Sequence, residues 1–259
     1  MPTTTLAGLQ RVVQNLPAAI DRVAREPRVR RDTAHYLSAI GNIKTLDAFM
    51  KDERVWRYAV QAFGMQELDY ASAFIRKLLS DGIDRPDSLA NRLTDPRFRA
   101  FVQTFDFSRY GAATTSFTRA GQGTVDRYLR QSLETQVGRD NEGVRLALYF
   151  QRKAPEISTP YALMADRALW KVTQVALGLP PSVGAGVDRQ AELIGNKLDI
   201  ADLKRPDKLA AFLTRFAAKW DIAQPATEMS TGLGAMTGGG AGAIGADLLA
   251  RWQTLQKAR

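Results

Sequence analysis

The stretch Ile43-Lys44-Thr45-Leu46-Asp47-Ala48-Phe49-Met50-Lys51-Asp52-Glu53-Arg54-Val55-Trp56-Arg57-Tyr58-Ala59-Val60-Gln61-Ala62-Phe63-Gly64-Met65 is written twice in this chain. The second version reads Ile157-Ser158-Thr159-Pro160-Tyr161-Ala162-Leu163-Met164-Ala165-Asp166-Arg167-Ala168-Leu169-Trp170-Lys171-Val172-Thr173-Gln174-Val175-Ala176-Leu177-Gly178-Leu179. Without a gap, Ile43 falls on Ile157, Thr45 on Thr159, Ala48 on Ala162, Met50 on Met164 and Asp52 on Asp166; Trp56, Ala62 and Gly64 fall on Trp170, Ala176 and Gly178. Each copy reads as helix. Thr45 and Thr159 are N-cap residues, whose hydroxyl accepts from an orphan backbone N–H. Leu46, Phe49 and Met50 give one short apolar face, and Val55, Trp56, Ala59, Val60 and Phe63 the next. Gly64 and Gly178 stand where a left-handed residue closes a helix.

Working outward, Leu6, Leu9, Val12, Val13, Leu16, Ile20 and Val23 recur at helical spacing, with Pro17 predicting a kink or two pieces. Pro27 marks the next start, and the pattern Val29, Ala34, Tyr36, Leu37, Ile40 runs to Gly41. Past the first copy, Tyr70, Phe74, Ile75, Leu78 and Leu79 predict a helix ending near Gly82. Asp95-Pro96 predicts a cap and first turn for Phe98, Phe101, Val102 and Phe105. The Gly-, Ala-, Ser- and Thr-rich stretch from Gly111 to Gly123 reads as the connection between halves. Val125, Tyr128, Leu129 and Leu133 begin a long helix, and Val144, Leu146, Leu148, Tyr149 and Phe150 belong to the one before the second copy. Arg205-Pro206-Asp207 then opens a helix with Leu209, Phe212, Leu213, Phe216 and Trp220, an echo of Phe98 to Phe105. Period-two alternation and hairpin turns are missing.

The expected fold is therefore all-α: two related helical halves from an internal duplication, with amphipathic helices at both ends. The expected divisions are an N-terminal segment over 1–26, a first repeat over 27–110, a second over 124–223, and a Gly-rich linker with a C-terminal helix over 224–259. Leu248, Leu249, Trp252 and Leu255 form the apolar side of that last helix. A helix so short is marginal in water unless it docks, so these four are candidate interaction residues. The shared Trp and Gly positions read as packing and capping, not reaction chemistry.

At 45% hydrophobic and 24% charged residues the chain can build a core, which argues against disorder throughout. No apolar run reaches the length of about 20 residues that a membrane helix needs. Met1 to Gln10 does not read as a cleavable secretory signal. There is no cysteine, so disulfides, thiolate metal sites and a cysteine nucleophile are excluded. His35 is the only histidine, which argues against a triad or a histidine metal cluster and leaves it a structural or surface role. Gly240-Ala241-Gly242-Ala243-Ile244-Gly245 has the letters of a dinucleotide loop but neither the preceding strand nor the downstream acid that such a site needs. No cofactor, metal or catalytic residue is assigned. The net charge of +9 favours acidic partners. Arg25, Arg28, Arg30 and Arg31 are the densest basic stretch and the candidate anion-binding residues.

The chain resembles the bacterial family of unknown function DUF1217. The residues that carry the resemblance are Ile43-Lys44-Thr45-Leu46-Asp47-Ala48-Phe49, Asp52-Glu53-Arg54, Ala62-Phe63-Gly64-Met65, Asp87-Ser88-Leu89-Ala90-Asn91-Arg92-Leu93 and Asp95-Pro96-Arg97. It is strongest from Tyr36 to Phe107 and continues more weakly to about Ile222. The resemblance implies a helical protein of alphaproteobacteria, encoded among flagellar genes, with no catalytic residues to carry over. The expectation is a non-enzymatic protein acting through protein–protein contacts in flagellar assembly, structure or motility. Its surfaces would be the terminal helices and an apolar groove between the halves. It would be cytoplasmic or flagellum-associated, with export that needs no cleaved signal. The alternative is a basic protein that binds nucleic acid or another anionic surface through the four arginines.

Overall fold

In the computed structural model, the backbone is described for residues 4–180 and 186–231, and side chains as far as residue 223. Leu248, Leu249, Trp252 and Leu255 lie outside the described residues. Among the described residues there is helix and no strand. The helices are α1 Thr5–Gln14, α2 Leu16–Ala24, α3 Pro27–Ile40, α4 Leu46–Lys51, α5 Glu53–Ala62, α6 Ser72–Asp81, α7 Leu89–Arg92, α8 Pro96–Thr104 and α9 Phe107–Tyr110. There follow α10 Gln122–Asp140, α11 Glu142–Lys153, α12 Pro160–Ala165, α13 Arg167–Leu177, α14 Val187–Gly195 and α15 Pro206–Thr231. The chain divides into two units, Met1–Asp221 and Ile222–Arg259.

Local chemistry sets these boundaries. Pro17 falls in the first turn of α2, and the break from α1 lies at Asn15. Pro27 opens α3 and Pro96 opens α8, where a missing N–H removes nothing the helix would use. In the first copy, Thr45 Oγ1 accepts from the amide of Ala48 at 3.1 Å, and Asp52 Oδ1 accepts from the amides of Arg54 and Val55, both at 3.1 Å. In the second, Thr159 Oγ1 accepts from Ala162 at 3.3 Å, and Asp166 Oδ1 from Ala168 and Leu169 at 2.8 and 3.1 Å. Gly64 and Gly178 both take positive φ, +70° and +63°, as the ends of α5 and α13 require.

Two apolar clusters make the core of the first unit. One gathers α2 to α9 with Val125, Tyr128 and Leu133 of α10; Tyr36, Tyr58 and Tyr128 stack through it at 4.4 and 3.8 Å. The other gathers α11 to α15 as far as Trp220, with Leu9 of α1. Trp56 sits in the first cluster and Trp170 packs on the second.

Three expectations change. Helix α10, placed in the second repeat by its sequence, buries its apolar face in the first core, while α1 packs on α11. The N-terminal stripe is accordingly no free arm. Leu9, Ala19 and Val23 are buried, Thr5 N donates to both carboxylate oxygens of Asp221 at 3.0 Å, and Thr5 Oγ1 donates to Asn141 Oδ1 at 3.0 Å. The stretch expected as linker from residue 224 is helical as far as Thr231, because α15 continues through Pro225, and the rest of it lies outside the described residues. A proline inside a helix costs about 3 kcal/mol, which weakens a helix without forbidding it.

Candidate functional site

Several polar side chains are drawn into caps and ion pairs. Asp52 caps α5 and also faces the imidazole of His35 on α3, 3.5 Å from Nε2. At the matching place in the second half, the Tyr149 hydroxyl on α11 donates to the cap carboxylate of Asp166 at 2.5 Å. Each half thus uses a ring on the preceding long helix to hold its cap carboxylate. Burial, followed by the charge of Asp166 and its hydrogen bond, raises the Tyr149 hydroxyl far above the ordinary tyrosine range; Arg152 and Arg97 only partly offset this. Tyr149 is held as a neutral donor. The aligned positions of His35 and Tyr149 carried this signal in the sequence, but their differing residue types concealed it.

Where α10 and α11 pair, Glu134 is buried at 1% exposure. Arg152 grips its carboxylate with two N–H groups, at 2.8 and 2.9 Å, and Arg130 adds Nε at 3.2 Å. The Arg152 guanidinium also lies over the Tyr149 ring, 5.0 Å from its centroid. Burial lowers the pKa of Arg130, opposed by the charge of Glu134. Arg97 of α8 donates to Asp95 at 2.9 Å, to Glu67 at 2.9 Å and to the carbonyl of Gly64. Sequence reasoning missed Glu134. Its only linear signal is the i, i+4 spacing from Arg130, which any solvated helix face shares.

Two surface depressions stand out. An open cleft of ≈ 680 Å³ is lined by Asn42, Lys51, Asp52, Glu53 and Arg54, with Ala39, Ile43 and Ala48. Its charges are mixed, and Asp52 is already engaged. A smaller one of ≈ 240 Å³ lies over Ala18, Asp21, Arg22 and Arg25 on α2. Neither is the groove expected between the halves, where α10 and α11 pack directly. The four sequence-predicted arginines are all exposed. Arg25 follows α2, and Arg28, Arg30 and Arg31 lie on α3. Among the described residues no group of three or more His, Asp or Glu side chains is placed to hold a metal ion. No described helix is long and apolar enough to cross a membrane.

An all-helical protein built on two apolar clusters and an ionic joint is the class that this fold defines. The chain belongs to the DUF1217 family, described as a protein of unknown function, whose pattern matches residues 62–209. That span runs from the last residue of α5, across the α10–α11 joint, into the first turn of α15. The crystal structure of an Agrobacterium tumefaciens protein, solved as a structural-genomics target, is similar at 38% identity with a TM-score of 0.78. The match covers 86% of this chain and 97% of that one. No curated protein matches the chain.

Proposed function

We propose that this is a non-enzymatic helical protein that acts through protein–protein contacts in bacterial flagellar assembly, structure or motility. The observation that supports a contact role is the engagement of its candidate reactive groups. His35 faces a cap carboxylate, Tyr149 donates to another, and Glu134 is enclosed by two arginines. The flagellar setting rests on the family resemblance. The protein acts in the cytoplasm or at the flagellum. Deleting the gene is expected to impair swimming, with purified protein turning over no small molecule. Normal swimming and intact flagella in a clean deletion strain would refute the reading.

A further inference from the structure

The basic stretch has a geometry that net charge alone does not describe. Helices α2 and α3 are joined by the Arg25-Glu26 turn, both touch α10, and each keeps one side exposed to solvent. On α2 that side carries Asp21, Arg22 and Arg25. On α3, at about 100° per residue, Val29, Tyr36 and Ile40 point into the core. Arg31 then points directly away, with Arg28 and Arg30 on its two flanks. All five guanidiniums are exposed. Three acids, Asp21, Glu26 and Asp32, lie among the five arginines, which stay in excess. The Glu26 carboxylate is held by Gln136 Nε2 at 2.7 Å, and Asp32 lies 3.7 Å from Arg28 and 3.6 Å from Arg54. Arg22, Arg25, Arg30 and Arg31 make no ion pair among the described residues.

Apolar side chains are exposed beside the end of the hairpin away from its turn, Leu37 on α3 and Val13 on α1. Leu37 is 44% exposed, two turns along the Arg30 stripe, and Val13 is 38% exposed just before α2 begins. A shaped acidic partner would need a concavity or a ridge to fit, and the face offers only the shallow depression on α2. A flat array of phosphates meets guanidiniums fanned over two helices without any shaping, and each guanidinium can hold phosphate through two N–H groups. Leu37 would enter the headgroup boundary of a bilayer, whereas against nucleic acid it would gain nothing.

We propose that the outer face of the α2–α3 hairpin docks on an anionic phospholipid bilayer, independently of the flagellar reading. Co-sedimentation of the full chain tests it, using phosphatidylcholine vesicles with and without about one-third phosphatidylglycerol. Binding is expected only with the anionic lipid, and weaker as salt rises. Each arginine lost from Arg25→Gln and Arg31→Gln should lower the partition coefficient about fivefold. Leu37→Ser should lower vesicle binding and leave any DNA binding unchanged. All three positions are exposed, so an unchanged helical circular dichroism spectrum should accompany these effects. No binding to anionic vesicles, binding that the double arginine variant leaves unchanged, or tighter binding to duplex DNA at equal phosphate concentration each overturns the proposal.

Discussion

Trp56 and Trp170 hold the same place in two copies of one sequence, yet Trp56 is 2% exposed and Trp170 only half-buried. The same contrast continues along the helix. Val60 and Met65 are fully buried, while their counterparts Gln174 and Leu179 are half-buried. Helix α5 lies between α3 and α10, whereas α13 packs on α11 and α12 and meets α15, where Lys219 donates to the Ala176 carbonyl at 3.1 Å. Closure of the first half comes from an element that begins the second, and the core of the second takes Leu9 from the first helix of the chain. Two similar sequences therefore end with different amounts of cover, because packing partners, not local pattern, set the final burial. Gln174 is half-buried, so its amide keeps access to water that the fully buried Val60 lacks.

The largest test of this comparison cuts the joint between the halves. Glu134→Ala removes a buried carboxylate and leaves the half-buried Arg130 and Arg152 without their anion, and should cost about 3–5 kcal/mol in urea unfolding. A loss below about 1 kcal/mol would mean that the joint carries no stability. Next, Trp56→Ala should cost about 3–5 kcal/mol and Trp170→Ala clearly less, since a half-buried ring leaves a smaller cavity. Equal losses would erase the difference in cover.

A smaller effect separates the two glycines. A Cβ at Gly64 would meet the amide end of Gln131 at 3.2–3.3 Å, but at Gly178 only the flexible Lys219 Nζ at 3.2 Å. Both alanine variants carry the left-handed penalty of about 1–2 kcal/mol, and Gly64→Ala should lose more on top of it by chemical denaturation. The smallest effect is in acid. Asp81, at the end of α6, accepts from the Leu89 amide at 2.9 Å, and the matching end of α14 is Gly195. The Leu89 hydrogen bond holds the Asp81 carboxyl below the ordinary range, with burial opposing it and Lys77 and Arg85 assisting. A depressed carboxyl stabilises fully above its unfolded value of about 3.9, and that stabilisation is lost as pH falls through the folded value. Asp81→Asn should cost about 1 kcal/mol at neutral pH, and the difference from wild type should vanish in acid. A difference that persists in acid would show that the carboxylate charge is not its source.

The sequence made the helices legible because their signals are local. Thr45, Asp95, Pro27 and Gly178 each act on their own turn, and each boundary they mark lies within a residue or two of the structure. What was not legible depends on distant partners. Nothing within α10 says that it faces the first core, since its polar residues Gln131, Ser132 and Glu134 are buried alongside its apolar ones. The His35–Asp52 and Tyr149–Asp166 pairs cross between helices and change residue type between copies. The four arginines were visible as a run that Pro27 divides between two helices, but the contact of both helices with α10 was not.

The hydrogen bond from Thr5 to Asp221 spans 216 positions of chain. During synthesis at roughly 5–20 residues per second, the first helix emerges on the order of ten to forty seconds before the carboxylate that anchors it. For about the first two-thirds of that interval α11, on which α1 packs, has yet to be made, and the Asp221 carboxylate comes last. The nascent chain thus passes through a stage in which its earliest helix is available to chaperones, and that stage closes only when nearly the whole of the first unit has been made.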